Sequence, residues 1–267
     1  MITASTSQLV STTDTPSETM RSSHWPAIMA FIRLPLITFG LVVGWLVYRL
    51  QGSPNSWANS ISITNFTMTI FADGICLALL LWRARVEHFR LDDLIRIDRR
   101  HIVKDVLIGL GLALLFLALL QISSILAMLI VYGPNVFSQS AANSTANNFG
   151  MPPMWVMWWS LLVLPITVGV MEELVYRGYA LPRLETATKS RWLSLLIVSL
   201  GFGLQHIVLP LMSWQISLVR FLSILPLGFV FGWIYFKQRR LLPLIIGHWA
   251  VDFIGLGLLP LLAVLSR

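Results

Sequence analysis

Glu172 and Glu173 stand side by side in an otherwise apolar run, Arg177 follows four residues on, and the same half of the chain carries His206 and, four apart, His248 and Asp252. A charged side chain at bilayer depth costs at least ~2.5–3.5 kcal/mol, so intramembrane carboxylates persist where they are paired or used. Helical residues four apart share a face while neighbours diverge by about 100°, so Glu173 is expected to pair with Arg177 and leave Glu172 facing elsewhere, free for chemistry. A glutamate beside a histidine can deprotonate water, and a second histidine or a nearby hydrogen-bonding group can stabilise the oxyanion formed when that water attacks a carbonyl. These are the parts of a peptide hydrolase. No serine stands in a recognisable nucleophile motif, and Cys76, which lies in an apolar span with no partner in sequence, reads as a packing residue, so water is preferred to a covalent nucleophile. Glu172, His206 and His248 could alternatively ligate zinc and lower the pKa of its bound water. The His-Glu-x-x-His motif is absent, however, and spacing alone leaves the metal question open.

The elements that must position these residues are read from hydropathy. Of the 267 residues, 56% are hydrophobic and 12% charged, with a mean hydropathy of +0.76, against roughly 25% charged in soluble domains. The expected fold class is therefore an all-α polytopic transmembrane bundle. Seven stretches reach the ~20 residues a crossing needs, near 27–48, 61–82, 106–132, 154–180, 192–212, 217–236 and 241–264. Basic residues concentrate in 83–105, 181–191 and 237–240, while the alternate connections hold Arg49 alone. That bias places the N-terminus in the cytoplasm and identifies the excess of 19 basic over 12 acidic residues as a topology signal rather than a nucleic-acid footprint. Measured from the cytoplasmic span ends at ~1.5 Å per residue, Glu172, His206, His248 and Asp252 fall roughly 10–21 Å deep, a common level. Residues 1–26, rich in Ser and Thr, read as a disordered cytoplasmic tail. The 83–105 loop interleaves acids and bases with Leu and Ile, which suits either an amphipathic interfacial helix or a salt-bridged connector. The uncharged loop 133–153 reads as a flexible outer connection. Pro165 and Pro226 are expected to kink their helices, and Pro243 to sit in a first turn. Arg33 and Arg220, near span ends, are expected to snorkel, and Asp73 to be a buried hydrogen-bonding residue.

Glu172-Glu173-Leu174-Val175-Tyr176-Arg177 resembles the E-E-x-x-x-R motif of the CPBP family, the intramembrane proteases that include CAAX prenyl endopeptidases and bacteriocin self-immunity (Abi) proteins. Phe202 to His206 is similar to its F-x-x-x-H motif, and His248 to Asp252 to its H-x-x-x-N or D motif, in order and on separate expected helices. The resemblance implies a catalytic core over 154–264 behind N-terminal helices over 27–153, with Glu172 and His206 activating water and His248 with residue 252 forming the oxyanion site. It implies a peptide or protein substrate at the lipid bilayer, lipid-anchored or CAAX-like, no nucleic acid, no metal, and a multi-pass protein of the cell membrane. Asp252 departs from the commoner Asn. An ionised carboxylate cannot donate to an oxyanion, so Asp252 must be protonated or must orient His248. A non-catalytic scaffold or immunity protein that binds peptides without cleavage is the alternative. A proton-relay transporter is a third reading.

Overall fold

The computed structural model describes residues 24–134, 136, 152–208 and 213–266. The loop expected at 133–153 and the tail expected at 1–26 lie largely outside them. Among the described residues the chain is all helix, with no strand. Helix α1 (Trp25–Phe31) turns at Ile32 into α2 (Arg33–Leu50), and α3 (Thr64–Val86), α4 (Ile102–Tyr132), α5 (Met154–Leu162), α6 (Leu164–Thr188), α7 (Arg191–Leu204), α8 (Trp214–Gln238) and α9 (Leu242–Leu265) follow. By length and composition five helices can cross a membrane, α2, α3, α8, α9 and the one containing α4, and the bent α5–α6 pair makes a sixth. Seven crossings were expected. The fifth stretch instead ends as helix at Ile207, and Arg191–Ile207 at ~1.5 Å per residue falls short of the ~30 Å hydrocarbon layer. The tail boundary also shifts, because helix begins at Trp25 with Pro26 in its first turn.

Proline chemistry explains part of the geometry. Pro165 has no N–H to continue the helix from α5, and the chain bends 46° at Val163 just before it. Pro226, expected to kink its helix, lies inside α8, which runs from Trp214 to Gln238. Pro243 sits in the first turn of α9.

The 83–105 connector is not a long interfacial helix. Its helix ends after Leu91–Ile95 because Arg96 adopts a left-handed conformation (φ 54°), and a single 3₁₀ turn follows at Arg99–His101. Ion pairs hold it instead: Arg90 with Asp92, His101 with Asp98, and Arg240 with Asp105. At its start Glu87 accepts from Tyr179 Oη at 2.6 Å and pairs with Arg83 and Arg183. Burial pushes the Glu87 carboxyl up, and these donors outweigh it and hold it below the ordinary carboxylate range.

Long α4 packs along α8 and α9, with Phe116 stacked on Phe231 at 3.8 Å. The α4–α9 contact needs its glycines, since a Cβ at Gly109 would lie 2.6 Å from Ile246 Cβ and one at Gly247 3.0 Å from Phe116. At Gly201 of α7 a Cβ would overlap the Ala30 carbonyl of α1, so the absence of a side chain lets these helices touch. Leu107, Leu114, Ile130 and Trp192 lie exposed on the outside, as lipid-facing residues do. Cys76 is fully buried in the main core, as a packing residue.

Candidate active site

Glu172 closes the α-helical part of α6, and Glu173 opens an eight-residue π-helical stretch, Glu173–Ala180. Two further π turns occur at Met68–Asp73 and Phe253–Leu258. Such i→i+5 turns are rare and concentrate at functional sites. All three abut an intramembrane carboxylate: Asp73, the Glu172–Glu173 pair, and Asp252.

Glu173 and Arg177 form the expected pair, with Arg177 Nη1 donating to Glu173 Oε1 at 3.0 Å and neither side chain exposed. Arg177 also donates to the Gly228 carbonyl of α8 at 3.3 Å, and its guanidinium lies 4.4 Å from the Phe202 ring centroid and 4.8 Å from that of Phe231. The same Glu173 oxygen accepts from His248 Nδ1 at 2.9 Å. Glu173 therefore links α6 to α9 through His248 as well as to its own helix.

Glu172 is 2% exposed and is not wholly free. Its Oε1 accepts from Arg33 Nη2 at 3.1 Å. Arg33 was expected to snorkel; the structure corrects this, placing it fully buried, with Nη1 donating to Asp73 Oδ1 at 2.7 Å and Nε to Gln205 Oε1 at 2.7 Å. A signal was present in the sequence. Four acids, Asp73, Glu172, Glu173 and Asp252, lie within the expected spans against three arginines, Arg33, Arg177 and Arg220, so a buried pairing role for a span-end arginine was open to reading. The other Glu172 oxygen, Oε2, is buried without a hydrogen-bond partner among the described residues. It lies 3.7 Å from His248 Nε2, inside ion-pair range and beyond hydrogen-bond range.

His248 Nε2 also faces Asp252 Oδ2 at 3.6 Å. Acceptor oxygens thus face both ring nitrogens of His248, Glu173 at Nδ1 and Glu172 with Asp252 at Nε2. His206 occupies the single 3₁₀ turn, Gln205–Ile207, that ends α7. Its Nδ1 lies 2.8 Å from the Phe202 carbonyl. A carbonyl can only accept, so Nδ1 carries the hydrogen and Nε2 of the neutral ring keeps the lone pair. The Phe202 ring lies 5.3 Å from the His206 ring and 6.1 Å from the His248 ring, centroid to centroid. His206 and Asp252 are half-buried while Glu172, Glu173 and His248 are buried, so the cluster opens on the side of His206 and Asp252. No three His, Cys, Asp or Glu side chains among the described residues are gathered into a set able to hold a metal ion.

Residues 153–254 match the family model described as type II CAAX prenyl endopeptidase Rce1-like. The matched segment contains Glu172, His206, His248 and Asp252 and agrees with the family resemblance carried by the three motifs. No curated protein and no solved structure matches the chain.

Proposed function

We propose that this membrane protein, with its Rce1-like segment, is an intramembrane endopeptidase that uses Glu172 and His206 to activate water against peptide bonds of membrane-associated or lipid-anchored, CAAX-like substrates. One observation carries the reading. Glu172 has one oxygen held by an arginine and the other buried, unpartnered and facing a histidine, the disposition of a carboxylate that takes a proton from water. The lone pair on His206 Nε2 shares that task. Hydroxide adds to the scissile carbonyl, and the negative charge moves to the carbonyl oxygen, where His248 Nε2–H donates to it. The proton taken from water then passes to the leaving amine as the C–N bond breaks. Asp252, 3.6 Å from His248 Nε2, acts through His248 by orienting the ring, a role that an aspartate in place of asparagine can fill.

These roles separate by magnitude. His248→Ala is expected to lower kcat by roughly 10²–10³, the usual cost of one oxyanion donor. Asp252→Asn is expected to retain activity or raise it, since an amide offers an obligate donor. The check is cleavage of a farnesylated peptide by purified protein in liposomes. An Asp252→Asn variant as inactive as His248→Ala would require a proton from Asp252 itself. Zinc at one equivalent per chain, lost with activity on chelation and restored with it, would overturn the metal-free mechanism.

A further inference from the structure

The matched segment leaves out two residues that touch its central carboxylate directly or through one neighbour. Arg33 opens α2 and Asp73 ends the π turn of α3, more than 75 residues before the segment begins. The three acceptors of the Arg33 guanidinium come from three different helices: Asp73 from α3, Glu172 from α6, and Gln205 from the turn ending α7. A guanidinium is planar and its donors diverge at fixed angles, so once two acceptors are set the third is set with them. Asp73 and Gln205 thereby fix where Glu172 Oε1 lies, and Oε2 follows.

Gln205 immediately precedes His206. The turn that carries both is a single 3₁₀ turn at a helix end, a place where helices fray. The bond from Arg33 Nε to Gln205 pins it. One side chain thus grips the carboxylate and the residue beside the histidine. The Gly201 contact with Ala30 holds α1 against α7 three residues before Arg33, so the gripping element is seated on the helix whose end it holds. A structural charge pair would need no such arrangement. Arg177, next door, pairs with a single acid, Glu173 of its own helix, and bonds one backbone carbonyl, whereas Arg33 serves two acids and an amide drawn from across the bundle.

We infer that Arg33, oriented by Asp73, is the positioning residue that sets the separation of Glu172 and His206, so that the helices before residue 153 complete the catalytic unit. The inference rests on the proposed role of Glu172 as the group that activates water. It is tested with the full chain in liposomes, measuring kcat and KM for a farnesylated peptide alongside thermal unfolding. Arg33→Lys keeps a point charge and loses the fork, and Gln205→Met leaves both ion pairs of Arg33 in place while cutting the link toward His206. Because misplacement by about 1 Å can cost ~10²-fold, Arg33→Met is expected to lower kcat by about that factor, with Arg33→Lys recovering part of it. Gln205→Met is expected to lower kcat about tenfold at unchanged KM and unchanged unfolding temperature, on the same scale of misplacement. Wild-type kcat in folded Arg33→Lys and Gln205→Met overturns the inference, even where Arg33→Met fails to fold. Glu172→Gln is carried as the control. If it still cleaves, the catalytic reading itself fails; if it is inactive while both conservative variants turn over normally, only the positioning role fails.

Discussion

Arg177→Met is expected to deplete the folded protein severely. Arg177 and Glu173 are both fully buried, and removing one partner of a buried ion pair typically costs ~3–5 kcal/mol because the other charge is left unpaired. Against a total stability on the order of 5–15 kcal/mol, that is a large share. The loss extends past the pair. Arg177 also bonds the Gly228 carbonyl and packs its guanidinium against Phe202 and Phe231, so its removal loosens α6 from α7 and α8 together. Thermal melting and size-exclusion yield in detergent measure it, with a marked fall expected for Arg177→Met and also for Glu173→Gln. Removing both charges, Glu173→Leu with Arg177→Met, should restore much of the stability but not the activity, since His248 Nδ1 then loses its acceptor. A wild-type melt for Arg177→Met would show that the pair does not hold the bundle.

His206→Ala is expected to lower hydrolysis by up to about 10⁴, the upper range for a group that moves a proton in the transition state, while leaving the unfolding temperature near that of the parent. The two halves of that expectation have separate grounds. The activity loss follows from the hydrogen bond of Nδ1 to the Phe202 carbonyl, which leaves the lone pair of the neutral ring on Nε2 as the base. The retained fold follows from where its hydrogen bond goes, to the Phe202 carbonyl of its own helix rather than to another element. Steady-state kcat beside a thermal melt separates the two. A variant with parental kcat would remove His206 from the mechanism.

What could be read from the sequence followed the reach of each interaction. The Glu173–Arg177 pair is local, four residues apart on one helix, and spacing alone identified it. The Arg33 bonds to Glu172 and Gln205 span 139 and 172 residues, and no periodicity carries such a distance. Only the surplus of buried acids hinted at them. The π turns at Asp73, Glu173 and Phe253 were equally hidden, because a pattern read at 3.6 residues per turn does not register one that widens locally. Hydropathy marked 192–212 as a crossing, yet it weighs side chains and not backbone, and the helix ends at Ile207. The same blindness to dihedral angles left the 83–105 loop open between an amphipathic helix and a salt-bridged connector, and it is a left-handed Arg96 that stops the helix there.

The central claim is that Glu172 activates water for peptide cleavage. Its most direct test is mass spectrometry of a farnesylated, membrane-anchored peptide incubated with purified wild-type protein or with Glu172→Gln in the same liposomes. The account predicts two complementary fragments whose masses sum to that of the intact peptide plus one water with the wild type, and none with a Glu172→Gln variant whose melt matches it. Intact peptide with folded wild-type protein, or the same fragments at the same rate from Glu172→Gln, would contradict it.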